Sequence, residues 1–491
     1  MDKTKKRTII CTLLSLACGL AGKAQVVTYN AAQSAPLNKT FQVNVMQDGK
    51  SFASPTYKVT VDKVNDGKHQ NLVSSMTQFS FNGKIRVQIT YNGGDIDSVR
   101  VRPASLAIRP EVDGRVITFT LDKPTNLSVE VNGDIYNNLQ LFANPLEKTD
   151  RRIAKVARTF KPKKGQTYYS GKGVIYFPAG MHDLSKNGGP LLIPSDTKVY
   201  VAGGAWIKGQ MRVDHARNVS ISGRGIIDCD QREGIYVAHS REVDVEGLIM
   251  SQCPVGNSAQ VHIDNVKVIS AFGWGDGLNV FASDSVFYTR CFARTSDDCT
   301  TVYATRKGFT GGARHIRMND CTLWADVAHP IFIGLHGNVE SPDTIEDLVY
   351  ENIDILGQRE FQTDYQGCMA IGAGDLNLVR NVTFRNIRVE NIEVGQLVNL
   401  RTTFNQKYCK APGQGIENIT FENISYTGAR PNLSILSAYS PKSPVRGIRF
   451  RNLLINGKHI YDAMPGKPKW YKTSDFANMY VGENVSDVTF E

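Results

Sequence analysis

Six segments in the later part of the chain share one pattern: an alternating strand, an asparagine, then a second short strand. They are VHIDNVKV (261–268), IRMNDCTL (316–323), LVYENIDI (348–355), VTFRNIRV (382–389), ITFENISY (419–426) and IRFRNLLI (448–455). Asn319, Asn352, Asn386, Asn423 and Asn452 follow one another at intervals of 33, 34, 37 and 29 residues. A loose period of this length marks a solenoid whose coils carry loop insertions. No coil can hide its apolar edge alone, so such a repeat is stable only as a stack. With parallel rungs about 4.8 Å apart, the repeated Asn is expected where the strand turns, its amide bonded to the next as in stacked asparagine ladders. The leucine frame of a leucine-rich repeat is missing, long helical patterns are scarce, and the strands are rich in Val, Ile, Phe and Tyr. The expected fold for residues 159–491 is a right-handed parallel β-helix.

Residues 25–158 have a different texture. KIRVQITY (84–91), VITFTL (116–121) and LSVEV (127–131) alternate with period 2, and turn formers such as Asp113-Gly114 and Asn132-Gly133 separate them. Short strands of this kind predict an antiparallel β-sandwich. Residues 1–24 combine a basic start, an apolar run from Ile9 to Ala21, and small Gly22 and Ala24, the pattern of a signal peptide. An exported protein, periplasmic or extracellular, is expected. No later stretch approaches the roughly 18 apolar residues that would cross a membrane.

Without five Lys/Arg and one Asp in the leader, the formal charge falls from +10 to +6. The remaining excess is mild and unclustered, which excludes a nucleic-acid groove and leaves room for an anionic substrate. Seven of the nine cysteines follow the leader, with no CxxC pair, so neither a disulfide scaffold nor a structural zinc site is expected. Cys299 and Cys321 could pair; buried free thiols are the preferred reading.

Chemistry concentrates in residues 273–306. Asp276 and Asp297 are 21 residues apart, close to one uninserted coil, which would place them on neighbouring rungs of one face; Asp298 follows immediately. Carboxylates packed together raise one another's pKa, so one stays protonated while another stays charged. Glycosidic cleavage requires that division between an acid for the leaving oxygen and a base or nucleophile. A single Asp is more often a turn former, and Asp-Gly is a common turn; three acids at coil spacing favour a site. Trp274, Tyr303 and Trp324 are candidate sugar-stacking rings, each equally open to a core position, which is at least as favoured for Trp324. His329, in AHPIFIGLHG (328–337), is a candidate hydrogen-bond partner of one Asp.

The succession of DG, DDC and HPIFIG resembles the pectin-lyase-like glycoside hydrolases, which include the polygalacturonases of family 28 and the dextranases and isopullulanases of family 49. VIYFPAGMH (174–182) is similar to the first strand of these β-helices and GRGIIDCD (223–230) to an early coil. The block 126–147, with NLSVEVNGD and NLQLFANPLE, resembles the sandwich that precedes the helix in family 49, the closer of the two. The resemblance implies Asp297 as general acid, with Asp276 and Asp298 activating water, and inversion at the anomeric carbon. It also has departures. Trp274-Gly275 replaces the usual Asn-Thr, His329 lies between Ala328 and Pro330 rather than glycines, and Cys-Thr-Thr follows the Asp pair. The Arg-Ile-Lys that holds a substrate carboxylate has no clear match, Arg401 in NLRTT being the nearest cation.

The reading is a hydrolase, expected to be a monomer without metal or cofactor, acting on an α-glucan such as dextran or on a pectic galacturonan. Two rivals use the same fold. A calcium-dependent lyase would need Arg294 or Arg306 as a base, and a non-catalytic carbohydrate-binding β-helix would need none of the acids.

Overall fold

The structure is a computed structural model describing residues 24–65, 67–147, 151–164, 166–229 and 233–491; the expected leader, except for its last residue Ala24, lies outside the described residues. Among them no helix is long and apolar enough to cross a membrane. Residues 25–145 form two facing sheets, one of six strands and one of five. Their inner faces carry the expected alternation, as in Ile85–Tyr91, whose Ile85, Val87, Ile89 and Tyr91 are all buried. One pairing differs from the antiparallel expectation: Asp134–Pro145 runs parallel to Lys68–Asn82. This last strand is central, with Thr125–Val131 on its other side. Alternation also fails along 74–81, where every residue is buried. The reason is that the six-stranded sheet is covered on both faces, as fully buried sheets are. Its outer side, through Tyr57, Val61, Met76 and Phe142, packs on Trp206, Ile226, Ile249, Ile269 and Phe292 of the second domain.

The second domain is the parallel β-helix. The short helix Arg151–Arg158 precedes it and packs with the first coil, burying Ala157 against Val174 and Tyr176. One sheet of 22 strands and one of 11 run the length of the solenoid. In early coils the larger sheet receives two strands per coil; later these merge into long bent strands such as Thr344–Gly357 and Leu378–Val389. The asparagines stand at that bend. Asn352, Asn386, Asn423 and Asn452 have φ between 53° and 55°, the left-handed region that Asn tolerates best among residues with a Cβ. Their amides are linked as expected: Asn452 Nδ2 donates to Asn423 Oδ1 at 2.9 Å, and Asn423 Nδ2 to Asn386 Oδ1 at 2.9 Å. Asn319 is the exception, since it pairs with Glu351 one position before the bend and Asp320 takes the turn. Inside the coils, aromatic rings also stack in register, with centroids 5.0 Å apart for Phe384–Phe421 and 4.8 Å for both Phe421–Phe450 and Phe450–Phe490.

The domain junction is polar as well as apolar. Arg294 is fully buried, paired with Asp326 at 2.8 and 3.0 Å and donating to Asn138 Oδ1 and Ile135 O of the sandwich. Arg102 bridges Glu130 of its own domain at 3.0 Å and Glu390 of the β-helix at 2.8 Å. The seven described cysteines are all buried, and Cys299 and Cys321 are free thiols.

Candidate active site

The 11-stranded sheet positions the acids. Leu278 pairs with Thr300, so Asp276 and Asp298, each two residues earlier, lie in register on adjacent rungs. Thr301 pairs with Phe332, which sets His329 beside Asp298 on the next rung. The 21-residue interval therefore misidentified the stacked pair by one residue: Asp298 lies next to Asp276 in the register and Asp297 is displaced by one position. The backbone enforces this closeness. Gly277 N donates to Asp298 O at 2.9 Å, and a Cβ on Gly277 would stand 2.5 Å from the Cys299 carbonyl oxygen. Only glycine fits there, so the Asp-Gly pair is a rung-packing device rather than an ordinary turn.

All three acids converge, with one carboxylate oxygen of each within 4.8 Å of the others. Their surroundings differ. Burial, and then the nearby Asp298, raise the Asp276 pKa to about 7, opposed by a 2.6 Å hydrogen bond from Asn279 Nδ2. Burial raises Asp297 well above the ordinary carboxylate range, reinforced by Asp276 and Asp298. Asp298 accepts from three donors: His329 Nδ1 at 2.6 Å and His329 N at 3.2 Å on Oδ1, and Tyr303 Oη at 3.3 Å on Oδ2. These are the conditions under which one acid of a cluster keeps its proton while another accepts hydrogen bonds.

Of the predicted aromatic residues, Trp274 alone offers an open ring: it is 79 % exposed on the loop before Asp276. Tyr303 is not a stacking platform. It is 2 % exposed, and its contribution is the hydroxyl given to Asp298. Trp324 is away from the site, buried in the domain junction with the guanidinium of Arg294 4.0 Å from its ring centroid and that of Arg102 at 4.9 Å. His329 is the Asp partner anticipated. Arg401 lines a small cavity with His329, Tyr365 and Tyr408, on the rung after Gly372. Arg294 is committed to Asp326 and cannot serve as a base beside the acids.

Around the acids lie Arg306, weighed in sequence only as the base of a lyase, and Lys307, His336 and Tyr365. Arg306 lies over the Tyr303 ring at 4.4 Å, and both Arg306 and Lys307 act to lower the Asp276 pKa. Burial works against the Arg306 charge, but Tyr303 and Asp276 outweigh it and hold the guanidinium protonated. His336 packs edge-on to Tyr303 at 5.2 Å; burial, and then Arg306 and Lys307, lower its pKa to about 3. Tyr365 packs edge-on to His329 at 4.4 Å. Lys307 could have been noticed as a second cation beside Arg306 just past the Tyr303 strand, whereas Tyr365 comes from a coil insertion that carries no periodic signal. Among the described residues, two groups could hold a metal ion, the three acids themselves and the surface set Asp214, His215 and His239.

A parallel β-helix bearing clustered acids on consecutive rungs of one sheet defines the pectin-lyase-like class. The profile of glycosyl hydrolases family 28 matches residues 195–466, more than half of the chain, and the chain belongs to that family. It is 24 % identical over 246 residues to a polygalacturonase of Juniperus ashei, covering 48 % of this chain and 46 % of that one. A polygalacturonase of Chamaecyparis obtusa is 24 % identical over 273 residues, covering 52 % and 48 %. The chain thus spans about half the length of the curated relatives it matches. Dex49A from Penicillium minioluteum shares the whole architecture, with a TM-score of 0.60, 14 % identity, and coverage of 95 % of this chain and 98 % of that one. The expectation of a fold near families 49 and 28 is met on both sides.

Proposed function

We propose that the chain hydrolyses glycosidic bonds of an acidic, galacturonan-type polysaccharide. The observation that carries this reading is the convergence of three acids in unlike environments, with Asp297 favoured as proton holder and Asp298 secured by three donors. Asp297 donates its proton to the leaving glycosidic oxygen as the bond to the anomeric carbon breaks. Water held between Asp276 and Asp298 attacks that carbon and yields its proton to one of these carboxylates, and exchange with solvent resets the acid. Attack from the face opposite the leaving group gives inversion. The carboxylates are closer than the roughly 6.5–9.5 Å common in inverting sites, so Asp276 and Asp298 hold the water at one edge of the cluster.

Arg306 and Lys307 support an anionic sugar over a neutral glucan, since a guanidinium and an ammonium beside the acids would pair with a uronate carboxylate. The polygalacturonase names of the sequence relatives agree with this choice. Export through residues 1–24 would bring such an enzyme to its polymer. Reducing-end release from polygalacturonate, dextran, pullulan and a rhamnogalacturonan tests the reading. Release from polygalacturonate, lost in Asp297→Asn, supports it; release from dextran alone sinks the acidic-substrate part. A chelator-sensitive unsaturated product absorbing in the ultraviolet would replace hydrolysis by elimination.

A further inference from the structure

The acids stand between two aromatic walls built by loops of other coils. Upstream, the segment after Tyr303 doubles back: Arg306 and Phe309 exchange backbone hydrogen bonds of 3.0 and 2.9 Å, closing a tight turn. The turn is tied two rungs away, where Thr310 N donates to Asn257 Oδ1 at 3.1 Å and Asn257 Nδ2 to Thr310 O at 2.9 Å. Phe309 thereby lies on the outer face of the sheet. It stacks on Phe281 at 5.8 Å and touches Tyr236 and His239. Gly256 is what lets it lie flat, since a Cβ there would meet the Phe309 ring at 2.3 Å.

Downstream, Tyr365 packs on His329 and Phe332 and stacks on Tyr408 at 5.2 Å. Tyr408 and Lys407 both donate to Gln362 Oε1, at 3.3 and 3.2 Å, which ties the two downstream loops together. A polymer lying along the sheet would have to cross the Arg306–Thr310 turn, which the buried Phe309 pins to the sheet, on one side and Tyr365 with Tyr408 on the other. Trp274, on the loop that carries Asp276, is 79 % exposed.

Resting on the hydrolase reading above, we infer that the acids lie in a pocket entered by a chain end, not in a groove that accepts the middle of a polymer. One terminal sugar sits among Asp276, Asp297, Arg306 and Lys307, and the rest of the chain leaves past Trp274. The Arg306–Thr310 turn is the stop that excludes further sugars, and Phe309, which pins it to the sheet, determines product size without touching the chemistry.

Viscosity and product size, followed together while the protein without its leader acts on polygalacturonate, test this. Monosaccharide as the sole early product, with viscosity nearly constant as reducing ends accumulate, is the expected result. Early oligomers of mixed length with a steep fall in viscosity overturn the inference and leave the hydrolase reading standing. No reducing ends from polygalacturonate, with release from another polymer, overturns the substrate class instead.

A binding measurement needs no turnover. The Asp297→Asn protein is titrated with tetragalacturonate reduced to the alditol at one terminus, or carrying an unsaturated sugar at the other. Loss of binding to one of the two ligands supports the pocket, and equal binding to both overturns it. Phe309→Gly, checked for native circular dichroism, is expected to release mixed oligomers where the parent releases monosaccharide. Unchanged monosaccharide release from the folded variant removes the turn that Phe309 pins as the stop.

Discussion

His329 donates its Nδ1–H to Asp298 Oδ1 at 2.6 Å and its backbone N–H to the same oxygen at 3.2 Å, so one residue on the adjacent rung fixes the acid from two directions. A hydrogen bond to a carboxylate is worth roughly 1.5–3 kcal/mol. His329→Ala should lower kcat/KM about 10- to 150-fold, mostly in kcat, with His329→Gln recovering part of the loss. Steady-state kinetics beside a thermal melt check this, and a variant that melts normally with unchanged kcat refutes the role.

Asp297→Asn removes the proton donor while keeping shape. It should cost about 10²- to 10⁴-fold in kcat and leave the far-ultraviolet circular dichroism unchanged. Proton NMR of the first product from the parent protein should show the anomer of inverted configuration. The retained anomer would assign one carboxylate as a nucleophile.

The pH profile follows from two raised acids. Asp276 must be charged to act on water, so activity should fall as pH drops through about 7. Asp297 must hold its proton, so activity should fall again at high pH. Lys307 favours the charged form of Asp276, and Lys307→Met should therefore move the acid limb to higher pH. An acid limb near the ordinary carboxylate value of 3.8, unmoved by this substitution, contradicts the scheme.

Stability should carry the same signature. Folding raises the Asp276 pKa from 3.8 to about 7. Its protonated form is tolerated below the unfolded value, and stability is lost progressively as pH rises through 7. Asp276→Asn should thus raise Tm at pH 8 and leave it nearly unchanged at pH 3. Equal shifts at both pH values would show that packing, not charge, sets the cost.

At the domain junction, Arg294→Ala strands Asp326, whose pKa burial already pushes up to about 6 against the opposing charge of Arg294. Removing one partner of a buried pair costs about 3–5 kcal/mol. Denaturant unfolding should show that loss, and Arg294→Met with Asp326→Leu should recover most of it. A loss below about 1 kcal/mol would class the pair with exposed ion pairs.

The solenoid and its asparagine bend were legible in sequence because Asn352, Asn386, Asn423 and Asn452 recur where a left-handed backbone is needed. Asn319 misled because Asp320 tolerates the same conformation, so the period looked one residue too long at that coil. The triad was legible as a cluster, but its register was not: Gly277 and the bonds to the next rung place Asp298, rather than Asp297, next to Asp276. Trp324 and Tyr303 look alike in sequence to any sugar-binding ring. What buries them lies far along the chain, Arg102 for the first and the loops around Arg306 and His336 for the second.

The asparagine ladder has a direction. Its amides donate backward, from Asn452 to Asn423 and from Asn423 to Asn386, and separately from Asn352 to Asp320. Asp320 has no amide to pass on, so the series ends in an acceptor only a coil beyond the acids. The solenoid is therefore modular on one side of that point. Whole coils could be grafted or excised among the later rungs with their bonding continued unbroken, lengthening the outer platform while the rungs that hold Asp276 and Asp298 keep their register.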